Sequence, residues 1–155
     1  YFDPELGKSY IPYVVETSIG LDRMFLSVLS HAFCQEKLEN GESRSVLKIP
    51  AFLAPIKAAI LPLTKKDGMP ERARAIMKSL LINFNCQYEE KDSIGKRYRR
   101  QDAIGTPFCI TIDHQTLKDD TITIRDRNTM QQNRISIAKI HSIISKKTDI
   151  TNFLN

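Results

Sequence analysis

The sequence predicts an α/β domain: a mixed sheet of about five strands flanked by helices, preceded by a strand-helix segment that belongs to a different unit. Two patterns carry that prediction. Ile56-Lys57-Ala58-Ala59-Ile60-Leu61-Pro62, a helical stripe and Cys86-Gln87-Tyr88-Glu89 follow one another within about thirty residues, the signature of a parallel strand-helix-strand crossover. Farther on, Pro107-Phe108-Cys109-Ile110-Thr111-Ile112-Asp113 and Thr121-Ile122-Thr123-Ile124-Arg125 each alternate and are joined by a polar turn, as the arms of an antiparallel hairpin are.

Each element has a local cause. Residues 10–18 are rich in β-branched and aromatic side chains and stop at Gly20, which predicts a strand. Leu21, Met24, Phe25, Val28, Leu29, Ala32 and Phe33 recur at helical spacing, which predicts a helix that fades near Leu38. The polar stretch 39–44 reads as a loop. After the strand at 56–62, Asp67-Gly68 marks a turn. Pro70 suits the first turn of a helix whose apolar face is Ala73, Ile76, Met77, Leu80, Leu81 and Phe84. A short basic helix is expected over 94–104, closed by Gly105. Strand 107–113 should be half-buried, and residues 132–135 should add another strand. Ile137, Ile140, Ile143 and Ile144 mark a final helix with Ser136 as its N-cap.

Bulk properties narrow the function. With 155 residues, 41% of them hydrophobic, the chain can bury a core without disulfides or metals. A net charge of +5 and a pI near 9.2 suit a polyanionic partner without specifying one. Cys34, Cys86 and Cys109 are widely spaced with no CxxC, which argues against a disulfide framework or zinc ribbon and for a reducing cytoplasm. His31, His114 and His141 are scattered, so no metal site is expected. No apolar run is long enough for a bilayer, so no membrane partner is expected. The opening Tyr1-Phe2-Asp3-Pro4 reads as a position inside a longer chain. There is no G-x-G-x-x-G or Walker sequence, which sets aside a flavodoxin-like nucleotide binder. Cys109 alternates within a strand and reads as packing rather than as a nucleophile.

Three places could carry chemistry. Residues 91–100 hold Lys91, Lys96, Arg97, Arg99 and Arg100 against Asp92, a local +4 with Tyr98 interleaved. Cations neutralise phosphates and an aromatic ring can stack on a base; a solvated helix face is the alternative. The ends of the hairpin strands offer Thr111, Asp113 and His114 on one side and Arg125-Asp126-Arg127 on the other. If the sheet brings these ends to one rim, donors, acceptors and a positive field converge there; an exposed turn and an exposed ion-pair ladder are the alternatives. Glu16, Thr17, Ser18, Gly20, Leu21, Asp22 and Arg23 lie at a strand-to-helix junction. They suit either a small ammonium ligand beside a phosphate or ordinary first-turn helix charges.

Val15-Glu16-Thr17-Ser18-Ile19-Gly20-Leu21-Asp22-Arg23 resembles motif 3 of class II aminoacyl-tRNA synthetases in its glycyl form, with Thr17 where the family usually has proline. Leu53-Ala54-Pro55-Ile56-Lys57, Lys65-Lys66-Asp67-Gly68, the run from Ser93 to Asp102, Ile104-Gly105-Thr106-Pro107-Phe108 and Ile124-Arg125-Asp126-Arg127 resemble, in order, the C-terminal region of the glycyl-tRNA synthetase family. The resemblance covers essentially the whole chain. It implies that residues 1–45 are the C-terminal remnant of a class II catalytic domain and residues 46–155 an anticodon-binding domain. It further implies an ATP-dependent, AMP-forming glycine–tRNA ligase in the cytoplasm, homodimeric at full length, using ATP as substrate with Mg2+. No cofactor is expected on the anticodon domain.

By the same resemblance Glu16 and Ser18 bind glycine, and Gly20, Leu21, Asp22 and Arg23 bind ATP. The catalytic set is incomplete, so this chain alone should be inactive. Lys96, Arg97, Tyr98, Arg99, Arg100, Thr111, Asp113, His114 and Arg127 bind the tRNA anticodon, Arg127 being the expected base reader. Lys96 stands where the family commonly has arginine, and His114 where phenylalanine is seen. A non-catalytic accessory module that grips nucleic acid through the same domain type is the alternative.

Overall fold

The computed structural model describes residues 1–38 and 41–154. Its centre is a five-stranded sheet made of β5 (Ala58–Pro62), β6 (Cys86–Tyr88), β7 (Phe108–Ile112), β8 (Thr121–Asp126) and β9 (Gln132–Ser136). Before it come two short strands, β1 (Phe2–Asp3) and β2 (Lys8–Ser9), helix α1 (Leu21–Ala32) and the hairpin strands β3 (Phe33–Lys37) and β4 (Ser43–Leu47). Helices α2 (Met69–Leu80), α3 (Ile94–Ile104), the single turn α4 (Thr116–Asp119), α5 (Ile140–Thr148) and α6 (Thr151–Leu154) complete the chain.

The sheet order is β6-β5-β7-β8-β9. β5 runs parallel to both β6 and β7, while β7–β8 and β8–β9 are antiparallel, so the expected crossover and hairpin both form. Alternation sorts the two faces. Ala58, Ile60, Phe108, Ile110, Ile112, Ile122 and Ile124 point to one side and pack under α2 and α5, through Met69, Ala73, Ile76, Leu80, Ile140 and Ile144. Ala59, Leu61 and Cys109 point to the other and pack under Ile94 and Tyr98 of α3. β7 is therefore buried at every residue rather than half-buried, because helices lie on both of its faces. Burial pushes the Cys109 thiol up to about 12, as a packing role requires.

The caps are local. Asp67 and Gly68 both take left-handed φ just before α2, and Pro70 sits in its first turn. Gly105 ends α3 with φ 85°, and a Cβ there would meet the Ile49 side chain and the Leu47 carbonyl at 3.1 Å, so only glycine fits. Ser136 opens a 3-10 turn, Ile137–Lys139, without a side-chain cap bond, and α5 proper begins at Ile140.

The first forty residues depart from expectation. Residues 10–20 form no strand: a strand needs a neighbour to take its backbone groups, and beyond Tyr10, which bonds to Tyr1, no strand of the described residues pairs with it. Helix α1 forms but stops at Ala32 rather than near Leu38. Phe33–Lys37 instead pairs with Ser43–Leu47, so part of the stretch read as a loop is strand; Glu39 and Asn40 lie outside the described residues. Only the end of α1 is anchored: Ala32 and Leu29 pack on Ile49, Ala54 and Leu47. Tyr13, Val14, Val15, Leu21, Met24, Phe25 and Leu26 are exposed.

Candidate nucleic-acid interface

Helix α3 covers only the β5–β6–β7 part of its sheet face. Beyond it, the same alternation that buries Ile122 and Ile124 turns Thr121 and Thr123 of β8 toward the uncovered side and Arg125 under the edge of α3. Their cross-strand partners Gln132, Arg134 and Ser136 face the same way. Between this polar surface and α3 runs a groove of about 420 Å³, lined by Lys96, Tyr98, Arg99, Arg125, Met130 and Gln132 among others.

The groove's floor is fixed by a chain of contacts. The Tyr98 hydroxyl lies 2.7 Å from Thr111 Oγ1, and the Arg125 guanidinium stacks 4.8 Å from the Tyr98 ring centroid. Arg125 in turn donates to both carboxylate oxygens of Asp102, at 2.7 and 3.0 Å. Burial raises the Tyr98 phenol, partly opposed by the Thr111 hydroxyl, so it stays protonated at neutral pH. Above this floor Lys96 is exposed and Arg99 partly so, with one long contact to Asp102 at 3.9 Å.

The remaining expected site residues are not all available. Arg97 turns inward: it is 2% exposed and donates to the carbonyls of Pro62 (2.7 Å), Glu89 (3.2 Å) and Leu63 (3.3 Å). It holds the carboxyl ends of β5 and β6 to α3, and burial lowers its pKa. Arg100 is committed to Glu89 and Asp92, and holds the Asp92 carboxyl below its ordinary value. Thr111 is buried, with its hydroxyl on Tyr98, so it supports the ring rather than meeting a base. Asp113 accepts from the Thr116 backbone at 2.9 Å and hydroxyl at 3.0 Å, and pairs with Arg134. His114 is exposed, 3.9 Å from Asp67.

The expected single rim does not form, and Arg127 is turned into the fold. Phe108 is opposite Asp126 and Thr111 opposite Thr123, so the antiparallel hairpin puts Arg125–Arg127 at the end of β7 away from Asp113 and His114. Arg127 is 3% exposed. Its guanidinium donates to the carbonyls of Gly105 and Ile49, each at 2.7 Å, and to Asn128 Oδ1 at 3.0 Å. Beside it, Arg44 of β4 donates to Asp102 at 2.9 Å and to the Arg127 carbonyl at 3.1 Å, and pairs with Glu36 at 2.6 Å. This buried network ties the β3–β4 hairpin to α3 and the sheet. Sequence reading missed Arg44 and Asp102 as its centre, and Met130, Gln132 and Arg134 as groove-side residues. Gln132 and Arg134 had a signal: once 132–135 is paired with 121–125, the polar positions of both strands must share one face.

The fold, the open polar face and the cation-flanked aromatic coincide with a family match: the model of the anticodon binding domain fits residues 57–147, more than half of the chain. This chain belongs to the anticodon-binding domain family. The domain and the residues before it are together similar to the glycine–tRNA ligase of Clostridium tetani, 50% identical over 149 residues, 96% of this chain and 32% of that protein. The ligase of Borrelia hermsii is 47% identical over 153 residues, 99% of this chain and 34% of that one. The chain thus spans about a third of the length of these curated relatives. Among solved structures, the RNA binding domain of threonyl-tRNA synthetase from Cryptosporidium parvum aligns with 64% of this chain and 25% of its own, at a TM-score of 0.59 and 20% identity, a likeness of fold.

Proposed function

We propose that the groove between α3 and the open face of β8–β9 receives the anticodon arm of a tRNA, and that the tRNA is the one charged with glycine. The observation that carries this is the placement of exposed Lys96 and half-exposed Arg99 with Tyr98 along α3, beside a polar sheet face that no helix covers. Splayed anticodon bases need a stacking surface, donors and acceptors, and a positive field for the backbone. Tyr98, backed by the buried Arg125, together with Gln132 and the two cations supplies these in one groove. Arg97, Thr111 and Arg127 act by holding this surface in shape.

The longer protein would be a cytoplasmic, homodimeric glycine–tRNA ligase that forms AMP from ATP, with residues 1–45 closing its catalytic domain and residues 46–155 forming the anticodon-binding domain. Glu16 would pair with the glycine ammonium, Ser18 would hydrogen-bond the same substrate, and Gly20, Leu21, Asp22 and Arg23 would meet ATP. All of these side chains are exposed, and the described residues build no enclosure around them, so their ligands would be completed by other parts of the protein. Mg2+ would arrive with the nucleotide. None of the described helices is long and apolar enough to cross a membrane.

Titrating the chain with an RNA hairpin carrying the glycine anticodon, across a range of salt, tests the reading. The double change Lys96→Ala and Arg99→Ala should leave thermal stability in place and lower the salt slope by about 0.7 for each lost phosphate contact. An unchanged slope would show that the RNA lies elsewhere.

A further inference from the structure

The turn between β8 and β9 contains a backbone conformation that its residue does not favour. Among the described residues, four that are not glycine have positive φ: Asp67, Asp92, Asp120 and Met130. Three are aspartates, whose short polar side chains tolerate the left-handed region; methionine has no such compensation. Met130 nevertheless holds φ 58°, where a turn of this shape ordinarily takes glycine.

The turn forces it. Asp126 Oδ1 accepts from the backbone of Asn128 at 2.8 Å and Thr129 at 3.0 Å, while Met130 N donates to the Asp126 carbonyl at 2.9 Å and Asp126 N to the Gln131 carbonyl at 3.0 Å. What the side chain does with that position is informative. It joins none of the apolar clusters of the described residues, is 38% exposed, and lines the groove together with Lys96, Tyr98, Arg99, Arg125 and Gln132. Strain retained at a groove wall, by a side chain outside the apolar core, points to a ligand contact.

We propose that Met130 is a base-contacting residue of the groove, held in the left-handed region so that its thioether lies against a nucleobase seated beside Tyr98. This rests on the groove being the anticodon site. A thioether is polarisable and flexible, and it packs on any aromatic ring without reading its edge. Met130 therefore adds affinity that is indifferent to base identity and to phosphate charge.

The test uses the 155-residue chain, its Met130→Gly and Met130→Leu variants, and two RNA hairpins: the glycine anticodon and the same hairpin with its two cytosines replaced. Met130→Gly relieves the backbone, so Tm should hold or rise by a few degrees. Dissociation constants for both hairpins should rise by the same factor, about 2- to 10-fold, with the salt slope unchanged. Met130→Leu keeps the bulk and should stay close to wild type. An unchanged affinity in Met130→Gly would overturn the proposal, as would a fall in Tm of several degrees, which would make the side chain a packing group. A changed salt slope would assign the loss to displaced phosphates and overturn it too. If the wild-type chain itself does not bind the hairpin, the groove reading fails and this one with it.

Discussion

Arg44, Arg125 and Arg127 cluster around Asp102 with 2–3% of their surface exposed, whereas Lys96, on the α3 side of the groove, is exposed to solvent along with part of Arg99. The residue types are the same; what differs is the company. The first group meets a buried carboxylate and backbone carbonyls left over at the ends of β4, β8 and α3, and so becomes part of the fold. The second group has only the long contact of Arg99 to Asp102, at 3.9 Å, and stays in reach of solvent. The local +4 of residues 91–100 overstates that available charge, since Arg97 is sealed against three carbonyls and Arg100 is neutralised by Glu89 and Asp92. A basic window in a sequence counts cations; only packing says which of them are free to meet phosphate.

The sharpest way to break this division is at Asp102, which is fully buried and holds Arg44 and Arg125. Neutralising it leaves two buried guanidinium groups without their carboxylate. Asp102→Asn should cost about 3–5 kcal/mol in urea unfolding, the scale for breaking a buried pair from one side. A loss under about 1 kcal/mol would place the cluster with the surface ion pairs. Arg127→Met comes next. It strips the Gly105 and Ile49 carbonyls of their donors and should cost about 2–3 kcal/mol. The variant's preference between a glycine anticodon hairpin and one lacking the two cytosines should stay as in wild type. Selective loss of the glycine hairpin would restore Arg127 as a reader of bases.

Most of the sheet was legible because its signals are local. The crossover followed from a turn, a proline and a helical stripe, and the β7–β8 hairpin from strict alternation. What failed was long-range. That β7 has helices on both faces depends on where α3 lands, which no window around 108–112 contains. Arg44 was read as loop because its reasons for burial, Asp102 and the Arg127 carbonyl, are 58 and 83 residues away. The proposed common rim failed for a different reason: the hairpin was read correctly but its consequence, opposite polarity of the two strand ends, was not followed through to Arg127. Residues 10–18 show the limit of propensity, since β-branched side chains favour a strand only when another strand is beside them.

The smallest effect is expected at an ion pair on the groove side, Asp113 with Arg134, where the division is least certain by burial: the side chains keep 21% and 30% of their exposure. Burial works to raise the Asp113 carboxyl, but hydrogen bonds from Arg134 and from the backbone and hydroxyl of Thr116 outweigh it, and the net shift is downward. A carboxylate with a folded pKa below its unfolded value, near 3.9, stabilises the fold above that value. The contribution fades as pH falls through it and on through the folded pKa. Other carboxylates titrate over the same window, so the informative quantity is a difference. Between about pH 6 and pH 3, wild type should lose more unfolding free energy than Asp113→Asn does. The excess should be about 1 kcal/mol or less, because water still reaches the pair. Asparagine keeps an acceptor for Thr116, which isolates the charge. An excess several times larger would move this pair into the class of Asp102, and the open face of the sheet would then be held by the same kind of bond as the buried cluster behind it. Parallel pH curves would instead leave Arg134 free of the fold and add it to the cations available to RNA.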